Sequence, residues 1–182
     1  MVELVAAALA LAAVATWVLA VPRVVIADDE APDFRALVTP ASAAVVGVSA
    51  FALAQVLWLA PLGTWWLWVP YLAFGVPLVA VDLRTTFLPT ALWRLCVVAM
   101  LVGLVPVALT SPPLALGVGL GAAALGAFFY LAWRLGRGMG FGDVRLAVLV
   151  GAVAGTSGVM GVASAALLGT ALGAVQALVR VA

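Results

Sequence analysis

Residues 1–21 read MVELVAAALALAAVATWVLAV, a run that carries one charge, Glu3, and neither glycine nor proline. At about 1.5 Å of rise per residue, about 20 such positions cross a hydrocarbon core of about 30 Å. The run has no basic segment ahead of it, so it reads as a retained span and not as a cleaved signal. The same texture returns along the whole chain. Apolar segments fall at roughly 2–21, 41–60, 65–81, 90–109, 114–133, 144–157 and 159–179. Helix is the state they must take, because lipid offers no partner to an open backbone N–H or C=O. The expected fold is therefore all-α, a polytopic transmembrane bundle of about seven spans forming a single membrane domain over 1–182. Residues 144–179 are too long for one simple span, and Gly155-Thr156-Ser157-Gly158 is the expected break.

Composition agrees. Of 182 residues, 68% are apolar and 8% charged, far too few charges to coat a soluble domain. Lipid is the implied surroundings. The net charge of +1 and the absence of any basic patch argue against nucleic acid.

The arginines orient the bundle. Arg23 and Arg35 fall in the loop 22–40, Arg84 and Arg94 around the third loop, Arg134, Arg137 and Arg145 around the fifth, and Arg180 near the C-terminus. Seven spans put all of them on one side, while the opposite loops carry no charge. The positive-inside rule makes that side cytoplasmic and the N-terminus external, with Trp65, Trp66, Trp68 and Tyr71 as an aromatic belt at the outer interface. The loop 22–40 also holds Asp28, Asp29, Glu30 and Asp33 and reads as a solvated turn. Glycines four apart, Gly117/Gly121, Gly151/Gly155 and Gly169/Gly173, read as close helix contacts.

Elimination narrows the chemistry. The chain has no histidine, which excludes an HExxH zinc site and any Ser-His or Cys-His pair. It has no lysine, which excludes a Ser-Lys dyad. Cys96 is the single cysteine, lies within an apolar span and reads as packing. What remains outside the N-terminus and the acidic loop is Asp82, ending the run FGVPLVAV, and Asp143, opening VRLAVLVGAVAG. Aspartate at mid-bilayer costs about 2.5–3.5 kcal/mol, less near an interface, so such residues are functional candidates. The bland alternatives are a helix cap for Asp143 and an Arg84 partner for Asp82.

The flanks decide between them. Asp82 stands seven residues before Pro89 in DLRTTFLP, and Gly140-Phe141-Gly142-Asp143 forms a GxGD element. Together, over roughly 65–179, they resemble the type IV prepilin peptidases, GxGD membrane proteases. The resemblance implies an aspartic endopeptidase core over 65–179 with Asp82 and Asp143 as the catalytic pair. Gly138, Gly140, Gly142, Pro89 and Arg145 would then line the substrate. It also implies a prepilin or pseudopilin partner whose short basic leader is removed at the cytoplasmic face of the plasma membrane. Neither metal nor other cofactor is expected. Two departures stand out. Bifunctional members carry paired CxxC motifs after the first span, where 22–40 has no cysteine, so N-methyltransferase activity is not expected. Arg145 stands where the family usually has lysine, and the two are not equivalent donors.

Two rivals belong to other classes. In a small proton-coupled transporter or channel, the aspartates would carry protons. Such sites usually lie at the bilayer midplane on broken helices, and here the span interiors offer little beyond Gln55 and Gln176. The other is a catalytically inactive membrane scaffold of the same fold. A protease of the presenilin kind would have tyrosine before the first aspartate, where Val81 stands.

Overall fold

The computed structural model describes residues 1–26, 31–136 and 140–181, with side chains through Ala171. Its elements are α1 (Val2–Ala20), α2 (Pro40–Leu53), α3 (Trp65–Pro70), α4 (Val76–Thr85), α5 (Thr90–Thr110), α6 (Pro112–Leu135), α7 (Phe141–Ala154) and α8 (Gly158–Val181). No strand occurs among the described residues.

Six helical runs are long and apolar enough to cross a membrane: Val2–Arg23, Pro40–Trp58, Leu62–Thr85, Thr90–Thr110, Pro112–Leu135 and Phe141–Ala171. The last combines the two segments read as separate spans. The break between them is where the glycines put it, a 3-10 turn at Gly155–Ser157 followed by Gly158 at φ 67°, ψ −157°. That backbone region is essentially closed to residues with a Cβ. The 14 residues of α7 give a helix of about 21 Å, short of the hydrocarbon thickness.

The chain forms two compact units, Met1–Val107 and Ala108–Ala182. In the first, Val2, Ala6 and Leu9 of α1 pack with Ala54, Leu57, Leu72 and Ala73. The third run is not a plain α-helix. Between α3 and α4 the backbone widens into a π-helical turn over Tyr71–Gly75, with Pro70 before it and Pro77 just after. Proline removes a backbone donor, and a wider turn is one way to absorb that loss. Of the expected belt, Trp66 is exposed, whereas Trp65, Trp68 and Tyr71 pack against the core cluster.

The start of α2 is firmly capped. Thr39 Oγ1 accepts from Ser42 N at 3.1 Å, Ser42 Oγ accepts from Thr39 N at 2.9 Å, and Pro40 takes the first helical position. This reciprocal box satisfies two of the helix's orphan donors.

In the second unit α6 and α7 meet along glycine. A Cβ on Gly121 would collide with the Gly151 carbonyl, one on Gly151 with the Gly121 carbonyl, and one on Gly155 with that of Gly117. Gly169, by contrast, has open space where a Cβ would be. Elsewhere the spans present large apolar side chains outward, among them Leu11, Val48, Val102, Leu120 and Leu131. A bilayer solvates such side chains, so their exposure here carries no penalty.

Candidate active site

Asp82 sits inside the last turn of α4, three residues before its end. It is half-buried and engaged in polar contact. Three features close the helix just beyond it. Thr85 Oγ1 donates to Val81 O at 2.8 Å and accepts from Phe87 N at 3.1 Å. Thr86 N donates to Asp82 O at 2.7 Å. Thr86 itself takes the left-handed conformation, φ 60°, a rare position for a β-branched residue. The chain then runs without regular structure to Pro89, which is fully buried ahead of α5. Pro89 is thus packed into the fold and not presented on its surface. Arg84 leaves α4 on a different side and lies over the Trp17 ring of α1, 5.8 Å from its centroid.

Asp143 is the third residue of α7 and is exposed. Gly140 holds the N-cap position, with no side-chain cap bond, so Asp143 is a first-turn residue and not the cap itself. A carboxylate there faces the positive end of the helix dipole. Gly140 has ordinary extended backbone, φ −77°, ψ 151°. Gly142 lies within the helix, and Gly158 is the one glycine at positive φ among the described residues. The glycine element therefore does not supply unusual backbone angles at these two positions. A Cβ on Gly140 would stand at ordinary contact distance, 3.9 Å from Gly142 N and 4.0 Å from Asp143 Oδ2. Gly138 lies outside the described residues.

Next to the GxGD element the structure brings two α6 rings that sequence reading did not single out, Tyr130 and Trp133. Tyr130 and Trp133 of α6 have ring centroids 5.6 Å apart, Trp133 meets Phe141 edge-on at 5.1 Å, and the Arg145 guanidinium lies 5.2 Å from the Phe141 ring. The aromatic ladder joins the end of α6 to the start of α7. One signal was present in the sequence: each aspartate is followed two positions later by arginine, Asp82-Leu83-Arg84 and Asp143-Val144-Arg145.

These helices define a multi-pass membrane protein. The sequence model of the type IV leader peptidase family matches residues 71–178, more than half of the chain and inclusive of both aspartates. The chain belongs to the type IV leader peptidase family, whose members act as peptidases on prepilin-type substrates in general. Neither a curated protein nor a solved structure matches it.

Proposed function

We propose that this protein is an aspartic endopeptidase in which Asp82 and Asp143 share one catalytic water. The observation that carries the reading is one of inventory. Within residues 71–178, the stretch matched as a leader peptidase, Asp82 and Asp143 are the only acidic side chains, and that stretch contains neither histidine nor lysine. Its one cysteine, Cys96, is fully buried. Peptide hydrolysis needs a group to take a proton and a group to give one. The other side chains there that could exchange a proton are thiol, phenols and hydroxyls, which serve less readily as the base of such a pair than a carboxylate does.

Two carboxylates brought within about 3 Å cannot both ionise, so the pair holds a single proton. The ionised member takes a proton from water as its oxygen attacks the scissile carbonyl, and the protonated member donates to the carbonyl oxygen. Collapse of the tetrahedral adduct breaks the C–N bond, with a proton delivered to the departing amine. Leader carboxylate and mature N-terminus are the products. The proton belongs to the pair and is not assigned to either residue.

Even passage supports a common side. The runs Thr90–Thr110 and Pro112–Leu135 separate the aspartates, and two crossings return the chain to the side it left. By the positive-inside rule the Arg-bearing side is taken as the cytoplasmic face, and the membrane as the plasma membrane. The substrate is a prepilin or pseudopilin with a short basic leader ahead of an apolar helix. At Gly140 the missing side chain leaves room for an extended peptide beside Asp143, with Arg145 bordering it and Gly138 and Gly142 assigned by sequence to the same path. The link 22–40 has no cysteine, and the activity is peptidase without N-methyltransferase.

Asp82→Asn and Asp143→Asn should each abolish cleavage of a model prepilin while the chain still inserts into the membrane. A single variant that processes substrate at near wild-type rate would exclude the pair. Excess chelator should leave wild-type cleavage unchanged, and a loss restored by added metal would point to different chemistry.

A further inference from the structure

The last turn of α4 is held from the side away from Asp82, and the hold runs through one buried ring. Trp17 is completely enclosed in α1, and its Nε1 donates to Ser42 Oγ at 3.0 Å. That same hydroxyl donates to Leu37 O at 2.7 Å and closes the capping box of α2. The indole is thereby fixed in plane and tied to the first turn of another helix. Over its face lies Arg84, at a separation where ring and cation attract. The cation also sits where helix carbonyl dipoles favour positive charge.

Helix geometry gives the hold a consequence. At roughly 100° per residue, Arg84 and Asp82 leave α4 about 200° apart. Pro77 and Val81, both fully buried, anchor the side of the helix nearer Arg84, while Leu78, one turn before Asp82, is buried on the other. A helix fixed there has a fixed bearing for whatever stands opposite.

We propose that Trp17 is a positioning residue: its ring seats Arg84, and through that seat it sets the angle at which α4 presents the Asp82 carboxylate. The proposal rests on the reading of Asp82 as one of the catalytic pair. Arg145 over Phe141 repeats the motif at the second aspartate, but ring and cation there belong to one helix. At Asp82 the ring comes from α1, outside the matched stretch 71–178, so a residue remote in sequence governs the site.

The test is steady-state cleavage of a model prepilin, a short basic leader joined to an apolar helix, by the full chain in detergent. The variants are Trp17→Phe, Trp17→Leu, Arg84→Ala, Arg84→Lys, the pair Trp17→Leu/Arg84→Ala, and Asp82→Asn. Trp17→Leu and Arg84→Ala should each lower kcat about 10- to 100-fold, the scale of a misplaced catalytic group, with KM within about twofold. Arg84→Lys and Trp17→Phe should recover part of the loss. The double variant should be no slower than the slower single, because both changes remove one contact. Losses that multiply in the double variant, or that appear in KM alone, overturn the proposal. Where Trp17→Leu fails to fold, Trp17→Phe combined with Arg84→Ala completes the same comparison. Asp82→Asn separates the two claims. Cleavage by that variant removes the catalytic pair and the positioning role with it. An inactive Asp82→Asn beside a wild-type kcat in Arg84→Ala removes the positioning role alone.

Discussion

Thr86 stands four residues past a candidate catalytic aspartate in a backbone conformation that threonine rarely takes. Its left-handed geometry costs roughly 1–2 kcal/mol relative to glycine. Thr86→Gly is accordingly expected to raise the melting temperature in detergent, by the equivalent of about 1 kcal/mol once glycine's greater chain entropy is deducted. Thr86→Ala, which keeps a Cβ, should not. A glycine variant no more stable than wild type would show that the hydroxyl bond from Thr86 to Thr85 O compensates for the strain. The two aspartates stood out as candidates before any coordinates, because a chain without histidine or lysine leaves so few proton-transfer groups. Their settings were not. Nothing in DLRTTFLP says that Thr86 turns left-handed, or that Pro89 is buried and Arg84 meets a tryptophan 67 positions earlier. Such facts depend on tertiary neighbours that local spacing does not encode.

Helices in this molecule are sorted by where their glycines meet backbone. Gly121 and Gly151 face each other's carbonyls, whereas Gly119 and Gly169 face open space. Alanine at Gly121 or Gly151 should push α6 from α7 at a cost of about 1–3 kcal/mol, the usual scale of overpacking. Alanine at Gly119 or Gly169 should be neutral or stabilising by up to about 1 kcal/mol, since glycine is the weaker helix former. Thermal unfolding of the four variants tests this, and equal effects across them would contradict the packing. The three glycine pairs look alike as sequence, and the four-residue spacing correctly announced close contact for two of them. For the third, Gly169/Gly173, it announced nothing that the second unit uses at Gly169. Helix ends were legible where chemistry marks them, as at Gly155–Gly158. They were less so at 65–81, where prolines and aromatics obscure a run that extends from Leu62 to Thr85.

At the scale of the whole chain, hydropathy alone carried the fold, because a bilayer imposes one period and one length on every segment that crosses it. Six runs among the described residues are long and apolar enough to cross, the last of them broken where the glycines stand. Arginine asymmetry makes the sidedness testable. In a Cys96→Ala background, a cysteine at Arg35 should react with an impermeant maleimide only in inside-out vesicles, and one at Gly63 only in right-side-out vesicles. Labelling of both from one side would reverse or dismantle the proposed topology.

The wide turn at Tyr71–Gly75 has a bearing on how this chain tolerates insertions and deletions. A π turn takes in one residue more than an α turn spanning the same rise, so the segment behind it is out of phase with the segment ahead. Removing a single residue from that turn would leave the run just as apolar and nearly as long, yet rotate everything downstream by roughly 100°. A hydropathy plot would not register the loss, while the carboxylate one helix further on would face a different neighbour.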